Sequence, residues 1–285
     1  MLASQARLAN SSSLTAELDF GASHFAPFGT NRVHYVIGGN GSQAVVFIHG
    51  WGANVLFWRE QVPALKDKAR VILVDLPGHG QSDKPKTDYT MDFFAGGVLA
   101  VLRDAGAEKA TFVGHSMGVP VICRVYAQAP EKAAALVAVD GLLRRTPRTA
   151  EQTEEFLALF HAPDYREHTT KFIADMFPDP GTRELRDWVI AQVLATPQYV
   201  LSSAMDGMLK PGQLAWDLGQ VSIPVLVINA RNPRWTPEYE AFARSRSAQT
   251  DYRIIEGAGH CLMQERPKEF NTVLVSMMER FHLLK

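Results

Sequence analysis

Short apolar runs alternate with longer amphipathic segments along most of the chain. The runs are rich in β-branched residues and have no polar face, which is typical of strands buried on both faces of a parallel sheet. The predicted buried strands are Ala44–Ile48, Val71–Val74, Thr111–Val113, Leu136–Val139, Val225–Ile228 and Tyr252–Ile255. Segments with helical spacing lie between several of them, namely Val55–Lys68, Met91–Ala105 and Val119–Ala129. Together with an earlier strand over Arg32–Ile37, the pattern predicts an α/β fold.

The alternation stops between about Leu142 and Trp216, where no strand pattern occurs. Four helix-like blocks separated by prolines replace it: Thr149–Phe160, Tyr165–Met176, Thr182–Ala195 and Gln198–Leu209. Because this segment directly follows a predicted strand, we expect a helical cap over the carboxyl edge of the sheet, where open α/β folds bind ligands. The alternative is a helical layer elsewhere that only stabilises the fold. The predicted domains are an N-terminal extension over 1–24, a core over 25–141 and 217–285, and the cap over 142–216.

Residues 110–118 join a short apolar strand to a helical segment through the turn Gly114-His115-Ser116-Met117-Gly118. Glycines two positions before and after a serine are typical of a nucleophile elbow, in which the serine has strained backbone angles and needs small neighbours. Such a serine stands at a helix N-terminus, where N–H groups favour a developing negative charge. The motif predicts Ser116 as a nucleophile.

A serine nucleophile needs a general base and donors for an oxyanion. His260 is the predicted base, because it follows the last predicted strand in a glycine-rich loop and precedes a predicted helix over Pro267–Phe281. The loop His49-Gly50-Trp51-Gly52 follows the first buried strand. We expect the N–H groups of Trp51 and Met117 to form the oxyanion hole.

Four motifs together resemble the α/β-hydrolase superfamily in order and spacing: His49-Gly50-Trp51-Gly52, the turn from Asp75 to Ser82, the elbow around Ser116, and Gly259-His260. The resemblance covers about residues 25–140 and 221–282. It implies a mostly parallel eight-stranded sheet flanked by helices, with an inserted helical cap. It also implies a Ser–acid–His triad, acyl-transfer hydrolysis and no cofactor or metal, with Asp75 and Ser82 in a structural role.

The acid is where the sequence departs from this family. Most members carry an aspartate after the strand that corresponds to Val225–Ile228, but Asn232 stands at that position. An amide can orient an imidazole but cannot stabilise the imidazolium by charge, and in serine proteases the equivalent change lowers turnover about 10⁴-fold. Asp140, at the end of the preceding predicted strand, is the predicted acid. The alternatives are Asn232 as an orienting group, and Glu238 or Glu256 as the acid.

Composition narrows the class of substrate and partner. The 285 residues are 46% hydrophobic, enough for one large core without disulfides or metals. The net charge is −1 and no run has one sign, so we expect a small, neutral substrate and neither nucleic acid nor a membrane as partner. The two cysteines, Cys123 and Cys261, give no disulfide framework and no metal-binding spacing. Without a leader pattern or a long apolar run, we expect a cytoplasmic protein. We also expect a monomer or a homodimer.

Two classes of function remain open. The first is a serine hydrolase of small to medium, mainly apolar carboxylic esters, and the same triad would serve a carbon–carbon hydrolase, a lactonase or a cofactor-free haloperoxidase. Dehalogenation and epoxide hydrolysis are disfavoured, since both need a carboxylate at position 116. The second class is a ligand-binding protein or receptor with little turnover, suggested by the acid missing from its usual position.

We expect His115 and the Trp51 ring to line the substrate pocket. Apolar cap residues would either join this lining or form the core of the cap itself. These residues are Phe156, Leu157, Phe160, Trp188, Val189 and Met205.

Overall fold

The computed structural model describes residues 20–146, 148–210 and 217–284. An eight-stranded sheet runs through this part of the chain in the order β1-β2-β4-β3-β5-β6-β7-β8. The strands are β1 Ala22–Phe28, β2 Asn31–Gly38, β3 Ala44–Ile48, β4 Arg70–Val74, β5 Ala110–His115, β6 Ala133–Val139, β7 Val225–Ala230 and β8 Thr250–Ile255. The pairs β1–β2 and β2–β4 are antiparallel, and the other pairs are parallel. The predicted mostly parallel eight-stranded sheet is confirmed.

The middle of the sheet and its β1 edge differ in burial. Every residue of β3, β5 and β7 is buried, because helices pack against the sheet. The first four residues of β1 are exposed, so this strand gives no apolar run. It begins at Ala22, inside the segment 1–24 that the sequence predicts as an extension. The rest of that segment, residues 1–19, lies outside the described residues.

The helices are α1 Val62–Leu65, α2 Met91–Asp104, α3 Gly118–Gln128, α4 Ala150–His161, α5 Tyr165–Ala174, α6 Arg183–Leu194, α7 Gln198–Leu209, α8 Pro237–Arg244, α9 Leu262–Glu265 and α10 Pro267–Arg280. One predicted helix, Val55–Lys68, is instead a 3-10 turn over Val55–Trp58 followed by α1. Pro63 explains the break, because proline is accepted in the first turn of a helix but interrupts a helix interior. In the described ranges, no helix has the length and apolar character needed to cross a bilayer.

Four consecutive helices, α4 to α7, form the described part of the segment between β6 and β7. We call them the cap. Thr149 begins α4 with a capping box, in which its side chain and that of Gln152 each bond the other's backbone N–H. Pro197 lies immediately before α7. These local signals explain why the sequence predicts the first turns of these helices well.

The cap is bonded to the loop that follows β3. The indole Nε1 of Trp51 donates to the carbonyl of Leu201 in α7 at 2.8 Å. The hydroxyl of Thr196, just after α6, donates to the carbonyl of Gly52 at 3.2 Å. The second half of the cap is therefore fixed to the edge of the sheet where β3 ends.

Asp75 is a buried carboxylate directly after β4. It accepts the backbone N–H groups of Val55 and Gln81, each at 2.8 Å, and Nδ1 of His34 in β2 donates to it at 2.7 Å. Burial opposes ionisation, but these donors and nearby His49 outweigh it, so the pKa of Asp75 is lowered. The Ser82 hydroxyl donates to the Asp75 carbonyl at 2.6 Å. These bonds tie the turn after β4 to two other segments.

Candidate active site

Ser116 lies in the turn between β5 and α3. Its φ is 53°, a left-handed value that costs a non-glycine residue about 1–3 kcal/mol. A Cβ on Gly114 would lie 2.3 Å from the carbonyl oxygen of Gly118, and a Cβ on Gly118 would lie 2.5 Å from that of Ile48. Both contacts are with backbone atoms that cannot easily move. The elbow therefore needs glycine at both positions, as the sequence motif predicts.

Asp140, directly after β6, supplies a carboxylate to His260. Nδ1 of His260 donates to Oδ2 of Asp140 at 2.6 Å. Oδ1 accepts the backbone N–H of Ala230 at 2.9 Å and the indole N–H of Trp235 at 3.0 Å. The two carboxylate oxygens are thus both bonded, and the Asp140 side chain is only 7% exposed. With Nδ1 of His260 protonated toward Asp140, Nε2 is the nitrogen left to accept a proton.

The alternative acids and the orienting amide have other contacts. Oδ1 of Asn232 accepts the backbone N–H of Arg234 at 2.9 Å, which closes a turn that leads to Trp235. Glu256 is exposed and forms an ion pair with a neighbouring arginine at 2.7 Å. Glu238 is also exposed. The Asn232 side chain therefore bonds the backbone of a turn. That turn positions Trp235, whose indole donates to Asp140.

The loop that carries His260 is held from two sides. The Glu265 carboxylate accepts the N–H groups of Gly259 at 2.8 Å and Cys261 at 3.1 Å. From the elbow, Nε2 of His115 donates to the carbonyl of His260 at 2.9 Å. Burial, with a smaller effect of neighbouring His260, lowers the pKa of His115 to about 3. His115 is therefore neutral near pH 7 and keeps the proton that it donates.

The loop after β3 lies against the elbow. A Cβ on Gly50 would stand 3.1 Å from the Cβ of Ser116. Nδ1 of buried His49 donates to the Gly50 carbonyl at 2.7 Å. Because a trans peptide is planar, a carbonyl fixed toward His49 turns the N–H of Trp51 to the opposite side. This geometry supports the prediction that Trp51 N–H is an oxyanion donor, together with Met117 N–H directly after the serine.

A cavity of about 430 Å³ is lined by Ser116, Asp140 and His260 together. The expected pocket residues His115 and Trp51 also line it. Much of the remaining wall is apolar and comes from the cap, including Phe156, Phe172, Ile173, Val189, Met205 and Leu209. The cap thus covers the elbow and its neighbours.

The expected cap residues divide between two environments. Phe156, Val189 and Met205 line the cavity. Leu157, Phe160 and Trp188 are absent from its lining, and Phe160 instead packs edge-on against the Trp51 ring with centroids 5.0 Å apart. Part of the predicted acyl pocket therefore packs within the cap and against the loop after β3.

Comparison with known proteins identifies the family. The alpha/beta hydrolase fold family matches residues 43–267. The chain belongs to this family. It is 30% identical over 220 residues to a pimeloyl-[acyl-carrier protein] methyl ester esterase of Methylococcus capsulatus, covering 74% of this chain and 85% of that protein.

A second relative is the dihydrolipoyllysine-residue acetyltransferase component of the acetoin cleaving system of Cupriavidus necator. It is 28% identical over 260 residues, which cover 89% of this chain and 68% of that protein. Among solved structures, a bromoperoxidase from Bacillus anthracis matches with a TM-score of 0.79 at 21% identity, covering 90% of this chain and all of that one. The structural likeness shows the shared fold alone, which hosts more than one reaction.

This α/β hydrolase also contains supporting residues that no sequence motif marks. The Trp235 indole bonds Asp140 across 95 positions of sequence, and the main-chain N–H of Ala230 reaches the same oxygen. Glu265 lies within six residues of the loop it holds, but an acidic residue in the first turn of a helix has many other uses. The only local signal for Trp235 is its place in the loop where the resemblance to the α/β-hydrolase superfamily implies the acid.

Proposed function

We propose that this α/β hydrolase is a serine hydrolase that cleaves small to medium, mainly apolar carboxylic esters through an acyl-enzyme at Ser116. The observation that carries the proposal is the 2.6 Å bond between His260 and Asp140 in the cavity that Ser116 lines. Because a carboxylate reaches the imidazole from the end of β6, the asparagine at position 232 does not leave the base without an acid. This bond favours an enzyme over a binding protein with little turnover.

In the proposed reaction, Nε2 of His260 takes the proton of Ser116 while Oγ attacks the ester carbonyl. Asp140 stabilises the imidazolium, and the N–H groups of Trp51 and Met117 hold the oxyanion. When the tetrahedral intermediate collapses, the C–O bond breaks and the imidazolium protonates the leaving alcohol. Water activated by the same histidine then hydrolyses the acyl-enzyme and regenerates the serine.

The apolar walls of the cavity support an apolar acyl group, because burying such a group in a preformed apolar cleft is favourable. The methyl ester esterase of Methylococcus capsulatus, which covers most of this chain, supports ester hydrolysis over other reactions of the fold. A hydroxyl at position 116 suits acyl transfer and lacks the carboxylate that dehalogenation and epoxide opening require.

A fluorophosphonate probe together with a panel of p-nitrophenyl esters tests this proposal. We expect rapid labelling on the peptide that contains Ser116, no labelling of Ser116→Ala at that site, and slow labelling of His260→Gln. The wild type should hydrolyse the esters, Ser116→Ala should not, and His260→Gln should do so slowly. A folded wild type that neither reacts with the probe nor hydrolyses any ester would contradict the proposal. Turnover of lactones without turnover of open-chain esters would replace the ester substrate by a lactone.

A further inference from the structure

The cavity of the proposed active site has arginines in its wall. Arg145, Arg148 and Arg234 line it, and Asp140 is the one carboxylate among its described lining residues. Both oxygens of Asp140 already accept hydrogen bonds. Arg148 and Arg234 therefore bring positive charge to an apolar cavity whose described lining residues include no free carboxylate.

Arg148 is an exposed residue that lines the cavity. Its guanidinium carbon lies 5.0 Å from the centroid of the Phe156 ring, and Phe156 lines the same cavity. A guanidinium that stacks on a ring keeps its N–H edge available for a planar anion. Within the described ranges, Arg148 forms no ion pair with a carboxylate.

Arg234 reaches the cavity from another segment. Its backbone N–H is bonded to Asn232 at 2.9 Å, and the next residue, Trp235, donates to Asp140. The backbone at Arg234 is therefore fixed relative to the proposed catalytic acid. Among the described carboxylates, none is paired with its side chain. Arg148 and Arg234 thus come from the segments that follow β6 and β7, whose ends meet at Asp140.

An aromatic wall connects this region with the elbow. The Trp51 ring packs against Phe172 with centroids 5.8 Å apart, and Phe172 packs against Phe156 at 5.6 Å. Trp51 is next to Gly50, which lies against the elbow at Ser116. At the other end of the wall, the guanidinium of Arg148 stacks on the Phe156 ring. Such a wall suits a chain of methylene groups that has an ester at one end and an anion at the other.

We propose that Arg148 and Arg234 form an anion subsite, which selects esters whose acyl chain ends in a carboxylate. The inference rests on the proposed function and names its substrate class. Arginine and carboxylate form charge-assisted, often bidentate hydrogen bonds, which are stronger than neutral ones. The near-neutral net charge led to the expectation of a neutral substrate, but net charge averages over the whole molecule and does not describe the cavity.

Monomethyl adipate and dimethyl adipate test the subsite as a matched pair. They present the same methyl ester on the same chain and differ in the charge at the far end. We expect the wild type to prefer the monomethyl ester by about tenfold in kcat/KM, the ratio that 1.4 kcal/mol gives. Arg148→Gln and Arg234→Gln should each lower this preference, and the double variant should abolish it. Added salt should raise KM for the monomethyl ester alone.

Arg103→Gln is the control, because Arg103 is exposed on α2 and does not line the cavity; it should keep the preference. A wild type that hydrolyses both esters equally, or a double variant that keeps the preference, overturns the subsite. If a variant does not fold, the wild-type preference and its salt dependence decide.

Calorimetry with Ser116→Ala protein measures binding to the subsite without turnover. We expect this variant to bind monomethyl adipate more tightly than dimethyl adipate. Tighter binding of the monomethyl ester by Ser116→Ala, together with a folded wild type that hydrolyses neither ester, upholds the subsite and contradicts the proposed function. Equal binding of the two esters, with hydrolysis of both by the wild type, overturns the subsite and leaves the proposed function standing.

Discussion

An acid can reach the same histidine from either of two neighbouring strands. β6 and β7 are parallel and adjacent, and the N–H of Asp140 donates to the carbonyl of Ile228 at 3.0 Å. Their carboxyl ends therefore lie side by side, so that a carboxylate after either strand is near His260. This geometry explains how the position after β7 can hold Asn232 while the imidazole keeps a carboxylate partner.

Asp140→Asn tests the acid at the scale of one residue. We expect kcat for a p-nitrophenyl ester to fall about 10⁴-fold, because the amide can neither stabilise the imidazolium nor fix the required tautomer. Asn232→Ala should change kcat only a few-fold, since its side chain bonds the backbone of a turn. Initial rates and circular dichroism on both variants check this. The opposite ranking would assign the supporting role to Asn232.

The sequence predicts those site residues that local motifs mark, but not those whose role depends on tertiary contacts. Ser116 and His260 each lie in a glycine-rich pattern with a mechanical reason for its glycines. Trp235 and Arg148 carry no such pattern, because an indole or guanidinium acquires its role from whatever the fold places against it. Their positions depend on chain segments that are far apart in sequence.

At the scale of elements, the sequence predicts a helix boundary well where a capping residue or a proline marks it. α4 and α7 begin within one residue of the expected positions, at a capping threonine and after a proline. The sequence pattern predicts no strand over β1, because the first residues of this strand are exposed and show no apolar alternation. Its pairing with β2 is a tertiary interaction that its own sequence does not encode strongly.

Gly118→Ala tests the elbow as an element. The new Cβ would meet the backbone oxygen of Ile48 at 2.5 Å, so β3 and α3 must separate. Overpacking of this kind costs about 1–3 kcal/mol. We expect a lower urea midpoint and slower fluorophosphonate labelling. Gly219→Ala is the matched control, because nothing lies within 4 Å of its new Cβ; an equal effect of both changes would rule out the steric explanation.

At the scale of the whole molecule, buried Asp75 joins β2, β4 and the segment that begins at Val55. Asp67 serves as the control residue, because its side chain is exposed on the surface. Asp75→Asn should lower the free energy of unfolding at pH 7 by about 3 kcal/mol, since it replaces a buried acceptor of three donors. Asp67→Asn should change it little.

The difference between wild type and Asp75→Asn should also depend on pH. The pKa of Asp75 is lowered in the folded protein, so its stabilising contribution is present above the unfolded-state pKa of about 4. It is lost as the pH falls through the lower folded-state pKa. Urea titrations from neutral to acidic pH should therefore show the two stabilities converging in acid. A difference that grows on acidification would mean that the carboxylate is not held ionised.

Trp51 and Gly52 are bonded to the cap through the Leu201 carbonyl and the Thr196 hydroxyl. The same loop carries the N–H proposed to hold the oxyanion. Replacing the cap by that of another hydrolase would therefore alter the chemical step as well as the choice of substrate. A transplant that keeps its catalytic speed must recreate an acceptor for the indole and a donor for the glycine carbonyl.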